Sequence, residues 1–225
     1  MDIRTRRRKS RRRKQLVFRM GCTLLIGLFA VLCVMKFLQL GPFESKYVEE
    51  TGAEIEAGKP DMDVQLLTAN EYSRPGYATG RINAIVIHYT ANPGSTAQQN
   101  RDYFEGLKDS HVTQASSHFI VGLDGEIIQC VPTWEVAYAS NSRNEDSVSI
   151  ETCHPGEDGS YTKATYKSMV RLTAWLCLKF DLTEEDVIRH YDITEKNCPK
   201  YFVEHEDAWV QFKQDVKKQI AWIKG

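Results

Sequence analysis

Ile82 to Thr90 reads INAIVIHYT, and the fold follows from this stretch. It is a β-branched apolar run, which predicts a buried strand ending near His88. His88 stands where the run ends. Beyond it, Ser95 or Thr96 is placed to cap a helix from about Ala97 to Lys108. SHFIVGL (117–123) and EIIQCV (126–131) flank Asp124–Gly125, a strong hairpin signal. SVSIETC (147–153) is a further strand. Thr162 precedes an amphipathic helix to about Phe180, with Tyr166, Met169, Val170, Thr173, Leu176, Cys177 and Phe180 on one face. DVIRHY (186–191) is a short strand or its exit, and Trp209, Phe212, Val216, Ile220 and Ile223 mark a last helix. Strands interleaved with helices, plus one hairpin, predict an α/β domain: a mixed central β-sheet flanked by helices.

Upstream of Ile82 the character changes. Pro60 to Gly80 reads as an ordered lead-in lying on the domain. Gly41 to about Lys59 is acidic and reads as a linker. Met20 to Met35 is the uninterrupted apolar stretch MGCTLLIGLFAVLCVM. Sixteen helical residues span roughly 24 Å, and the snorkelling of Arg19 and Lys36 extends the buried length. This predicts one transmembrane helix. The expected organisation is 1–15 basic head, 16–40 membrane anchor, 41–64 linker and 65–223 folded domain.

The formal net charge of −1 over 225 residues conceals a split. The first 14 residues hold nine basic side chains and one acid; the remaining 211 hold 20 basic and 29 acidic ones. A basic cluster abutting an apolar span orients it, keeping the head cytoplasmic and the domain external. This reading is preferred over nucleic-acid binding, and no nucleic-acid partner is expected. A cleaved signal peptide needs small residues in an A-x-A pattern after the apolar stretch, and Val34 to Leu40 offers none. An uncleaved anchor is therefore expected, with a secreted form following if the segment is cleaved. With 42% apolar residues the chain has material for a core, which excludes wholesale disorder, collagen and coiled-coil classes. The acidic external part argues against charge attraction to an anionic partner as the basis of binding.

Of the six histidines, His88 and His190 each follow a predicted strand, and Cys198 lies eight residues beyond His190. Two imidazoles and one thiolate suit zinc, and three protein ligands leave a fourth position for water, the layout of a catalytic site. The alternative is core or surface histidines and a buried free cysteine; spacing alone leaves this open. Glu151 lies within an otherwise apolar strand, where a carboxylate is expensive unless paired, solvated or functional. Lys196, two residues before Cys198, either faces solvent or offers charge to an oxyanion. Cys153 and Cys177 read as buried thiols, which is preferred over a second metal site at Cys153–His154. A Cys130–Cys153 disulfide is left open.

Four ordered stretches resemble the zinc-dependent N-acetylmuramoyl-L-alanine amidases, the family of phage lysozyme-type amidases, bacterial autolysins and animal peptidoglycan recognition proteins. They are IVIHYTANPGSTAQQNRDYF (85–104), SSHFIVGLDGEIIQCVP (116–132), SVSIETCHP (147–155) and RHYDITEKNCPKYF (189–202). The resemblance covers about residues 65–220. It implies His88, His190 and Cys198 as ligands of Zn2+, Lys196 as the lysine that stabilises the tetrahedral intermediate, and Glu151 as the base of one bacterial and prophage branch. Another branch uses a tyrosine directly before the histidine of the HF motif. Here Ser117 precedes His118, so that role is absent and Glu151 is favoured. His118 is then carried over as a substrate-binding residue, with structural packing as the equal alternative.

The implied activity is hydrolysis of the amide between N-acetylmuramic acid and L-alanine in peptidoglycan, by a monomer. The competing reading is a non-catalytic, membrane-anchored peptidoglycan-binding module. Animal relatives that only bind typically lack the cysteine ligand, whereas both histidines and the cysteine stand here.

Overall fold

The structure is a computed structural model that describes residues 14, 17–23, 27–34, 56 and 58–225. The chain divides into two compact units, Met1–Lys46 and Tyr47–Gly225. In the first, the described residues are helical, and Val17–Val34 has a mean hydropathy of 2.3, long and apolar enough to cross a membrane. The basic head up to Arg13 and the expected linker up to Ile55 lie outside the described residues.

The second unit is built on a six-stranded mixed sheet. Its strands are β1 (Asp63–Val64), β2 (Ala84–Ile87), β3 (Phe119–Val121), β4 (Ile127–Gln129), β5 (Ser147–Thr152) and β6 (Val187–Arg189), in the spatial order β1-β4-β3-β5-β2-β6. Among these described strands the β3–β4 hairpin pairs antiparallel, and the other pairings are parallel. β2 sits between β5 and β6 with all four residues buried, as its unbroken apolar run requires. The hairpin turns at Gly125, whose φ is +84°. A Cβ there would come within 2.9 Å of the Ala164 carbonyl oxygen, so glycine is needed for both backbone and space.

The helices are α1 (Ala97–Ser110), α2 (Lys163–Lys179), α3 (Tyr191–Thr194), α4 (Lys200–Glu204) and α5 (Glu206–Lys224). Of the two expected caps of α1, Thr96 is the one used: its hydroxyl accepts from the Gln99 N–H and the Gln99 side chain reaches back, a capping box. Thr162 caps α2 and also donates to the Leu123 carbonyl at 2.7 Å, while Thr165 donates to that of Gly122 at 2.8 Å. These bonds pin the start of α2 to the hairpin. Burial on α2 is wider than the expected single stripe. Leu172, Ala174, Trp175 and Leu178 are buried as well, because α5 packs against the helix beside the sheet.

Alternation along the strands sorts side chains into two layers. Ile85, Ile87, Phe119, Val121, Val148 and Ile150 join α2 and α5 in one core. Ile120, Ile128 and Cys153 join Phe104 and Leu107 of α1 in another. The boundary at residue 65 needs correction. Asp63 and Val64, assigned to the linker, extend the sheet by pairing with Ile128 and Gln129. Even Gly58 is packed, since a Cβ there would lie 2.6 Å from the Ile223 side chain. A two-residue, exposed edge strand has no hydrophobic pattern to announce it.

Candidate metal centre and catalytic groups

Because Ile87 and Ile150 face α2, strand alternation puts His88 and Glu151 together on the opposite face of the sheet. They are level with one another: β2 and β5 pair Ile87 with Ile150, and the His88 N–H donates to the Ile150 carbonyl at 2.9 Å. On the other side of β2, β6 ends at Arg189, and the His190 N–H donates to the Ile87 carbonyl at 3.2 Å. The chain then turns through α3, and the Tyr191 N–H donates to the Cys198 carbonyl at 2.8 Å, bringing the cysteine back beside His190. Arg189 anchors this turn. It is nearly buried and donates to Asp192, Glu206 and the Phe202 carbonyl, with its guanidinium over Trp209.

The outcome is a cluster of ligand atoms. One donor atom each from His88, His190 and Cys198 lies within 4.8 Å of the others, and all three residues are buried. The Cys198 thiol is 3.9 Å from His88 Nδ1, and the two imidazole centroids are 4.7 Å apart. Burial, then the neighbouring His190 and Lys196, hold His88 well below the ordinary histidine pKa, so its ring is neutral and able to ligate. Burial and Lys196 lower His190 as well. Burial pushes the Cys198 thiol up to about 12, opposed by a bond from the Tyr89 backbone and by Lys196. Two imidazoles with one sulfur form a donor set that fits zinc.

Glu151 is half-buried, and its Oε2 is buried with no hydrogen-bond partner among the described residues. Burial raises its pKa to about 8, against the pull of Lys196. Two more buried polar atoms at the same strand ends, Thr90 Oγ1 and His154 Nε2, also lack partners. Buried unpaired polar atoms are rare and collect where ligands or water bind. Lys196 is exposed, yet its charge bears on His88, His190, Cys198 and Glu151 together. Among the described residues its ammonium makes no ion pair.

His118 is placed differently. It is 1% exposed, its Nδ1 accepts from the Ser149 N–H at 3.0 Å, and its Nε2 donates to the Glu135 carbonyl at 2.9 Å. Both nitrogens are occupied, and the ring braces a loop against β5. Burial lowers the His118 pKa to about 4. The unfolded chain therefore holds a proton that the native ring releases, so native stability is lost as pH falls from 6.5 towards 4. The loss expected from this ring is about 3 kcal/mol. Urea midpoints of His118→Gln and wild type across pH 4–7 check it: the variant should show a shallower decline, and parallel curves would contradict it.

The six cysteines are free, including Cys130 and Cys153. The Cys153 thiol lies on the α1 side, 3.6 Å from Asn100 Nδ2, while the His154 ring is tilted against Tyr89 and its Nδ1 donates to the Gly156 carbonyl. Two residues escaped the sequence reading. Ser140 Oγ lies 3.2 Å from His88 Nε2, and Asn141 Oδ1 lies 2.8 Å from His190 Nε2. The only sequence signal was a Ser/Asn-rich loop, SNSRN (140–144), which reads as an ordinary turn.

Residues 78–201 match the family described as N-acetylmuramoyl-L-alanine amidase, the type 2 amidases. Two curated relatives are each 34% identical: the N-acetylmuramoyl-L-alanine amidase CwlL of Bacillus licheniformis, over 169 residues, and BlyA of Bacillus subtilis, over 176 residues. Each alignment takes in 69% of this chain and 46% of the relative, so the chain spans about half the length of the curated relatives it matches. Among solved structures, a mutant endolysin from Bacillus subtilis superimposes with a TM-score of 0.59 at 26% identity, covering 69% of this chain and 98% of the endolysin. The catalytic domain of XlyA gives the same score and identity, over 70% and 99%.

Proposed function

Since the chain belongs to the type 2 N-acetylmuramoyl-L-alanine amidase family, we propose that it hydrolyses the amide between N-acetylmuramic acid and L-alanine in peptidoglycan, with Zn2+ held by His88, His190 and Cys198. The observation that carries this reading is the convergence of those three donors near Glu151, whose Oε2 is buried without a partner among the described residues, and near the charge of Lys196. A module that only bound the wall would have no use for a carboxyl group desolvated at this cost.

Bound zinc supplies Lewis acidity that polarises the scissile carbonyl and acidifies a water near neutral pH. The chain's own residues do the rest. Glu151 takes the proton of the attacking water and returns it to the leaving amine. Lys196, whose charge reaches every group of the site, holds the developing oxyanion. His118 stands behind the site as a brace. One chain carries all these groups, so a monomer suffices.

The deciding experiment is mass spectrometry of purified peptidoglycan after digestion. Free stem peptides with an N-terminal L-alanine should appear and vanish on chelation; binding without cleavage would leave the module reading. Lys196→Ala should lower turnover at least tenfold with zinc content unchanged, since an oxyanion donor is worth about 2.7–4 kcal/mol. Unaltered turnover would remove Lys196 from the mechanism.

Val17–Val34 serves, in this reading, as an uncleaved signal anchor that leaves the catalytic domain outside, facing the wall. Full-length chain in the membrane fraction is the expected result. A shortened, soluble chain would mean a cleaved signal sequence.

A further inference from the structure

One short turn reaches both imidazoles of the cluster from behind. Ser140 and Asn141 are consecutive, yet they serve His88 and His190, which come from different strands of the sheet. Asn141 Oδ1 is an acceptor, so the hydrogen at this contact lies on His190 Nε2. A Ser140 hydroxyl accepting from His88 Nε2 fixes that ring in the same tautomer. In each ring the lone pair then falls on Nδ1, and His88 Nδ1 is the nitrogen facing the Cys198 thiol.

The turn is itself held. Asn144 Oδ1 accepts the Ala139 and Ser140 N–H groups at 3.1 and 2.6 Å. The Arg143 and Asn144 N–H groups donate back to the Ser140 and Asn141 carbonyls. Arg143 pairs with Asp146, and Ser147 at the start of β5 donates to the Arg143 carbonyl at 2.7 Å. Asn141 has a φ of +52°, a left-handed conformation that asparagine tolerates better than most residues. Ser140 is 1% exposed, so its hydroxyl has no competition from bulk water.

We propose that the Ser140–Asn141 turn is a positioning device that sets the tautomer and aim of both histidine ligands. It rests on the zinc reading above. Outer acceptors of this kind hold ligand rings in register with the ion, and their removal typically weakens metal affinity about 10- to 100-fold.

Zinc affinity of the full-length chain in detergent, by competition with a chromophoric chelator, tests this. Asn141→Gly keeps the left-handed backbone without strain and deletes the acceptor; zinc should bind about 10- to 100-fold more weakly. Asn141→Asp restores an acceptor at the same place and should recover wild-type affinity or better. Ser140→Ala and Ser140→Thr should behave as the corresponding pair. The visible absorption of the cobalt-substituted protein should shift in the Gly and Ala variants and return in the Asp and Thr variants. Thermal midpoints of the metal-free forms should stay level, because a merely structural turn would lower them instead. Wild-type affinity in Asn141→Gly and Ser140→Ala would overturn the proposal. A wild-type chain that fails to hold zinc at all would overturn the zinc reading beneath it.

Discussion

Glu151→Gln is expected to fold, to retain zinc and to lose at least two orders of magnitude in turnover on peptidoglycan. A positioned general acid–base contributes about 10²–10⁴-fold, which is about 2.7–5.5 kcal/mol of barrier. Glutamine has nearly the same shape and cannot accept a proton from water, so packing is kept and chemistry is removed. The variant also has a signature away from catalysis. In the metal-free protein the Glu151 carboxyl keeps its proton up to about pH 8, whereas the unfolded chain loses it near 4.5. Native stability contributed by this group is therefore fully present below 4.5 and drains away as pH rises towards 8. Glutamine does not titrate. Metal-free Glu151→Gln should match wild type in acid and exceed it at pH 8 in denaturant titrations. A variant that keeps wild-type turnover would assign the base elsewhere.

Cys198→Ser is expected to reduce zinc affinity by more than about 100-fold, because losing a direct ligand exceeds the loss of an outer partner. Serine fits the space left by a residue 2% exposed, so the fold should survive. The Tyr89 backbone bond and the charge of Lys196 that favour a thiolate here give a neutral hydroxyl no comparable binding power. Zinc content by mass spectrometry and activity should fall together; undiminished zinc would reject Cys198 as a ligand.

How much of this was legible depended on whether a residue's role was local. INAIVIHYT announced β2 because burial on both faces leaves an unbroken apolar run. The Asp124–Gly125 turn and the Thr162 cap declared themselves through backbone chemistry confined to a few residues. His88, His190 and Cys198 were suspected from their places at strand ends, but the resemblance, not the spacing, made them a set. Their convergence depends on the parallel pairing of β2 with β6, which no local pattern encodes. Ser140 and Asn141 were illegible for the same reason: what distinguishes that turn is the pair of rings behind it, supplied by distant strands. His118 was ambiguous because a histidine's role depends on what occupies its nitrogens, and Ser149 and Glu135 became its neighbours only on folding.

Among the described residues β6 is an edge strand of three residues, joined to the sheet through β2. Yet the segment it introduces delivers two of the three donors, while the third, His88, directly follows β2, 110 residues before Cys198. An ion held by the three would therefore be a clasp as well as a reagent, closing a long loop much as a cross-link does. The entropy of closing a loop rises with its length, though slowly, so a clasp across so long a stretch would restrain the chain more than one across a short turn. Opening it would release the border of the sheet and the site together, making the working state of the enzyme and the integrity of its rim a single equilibrium.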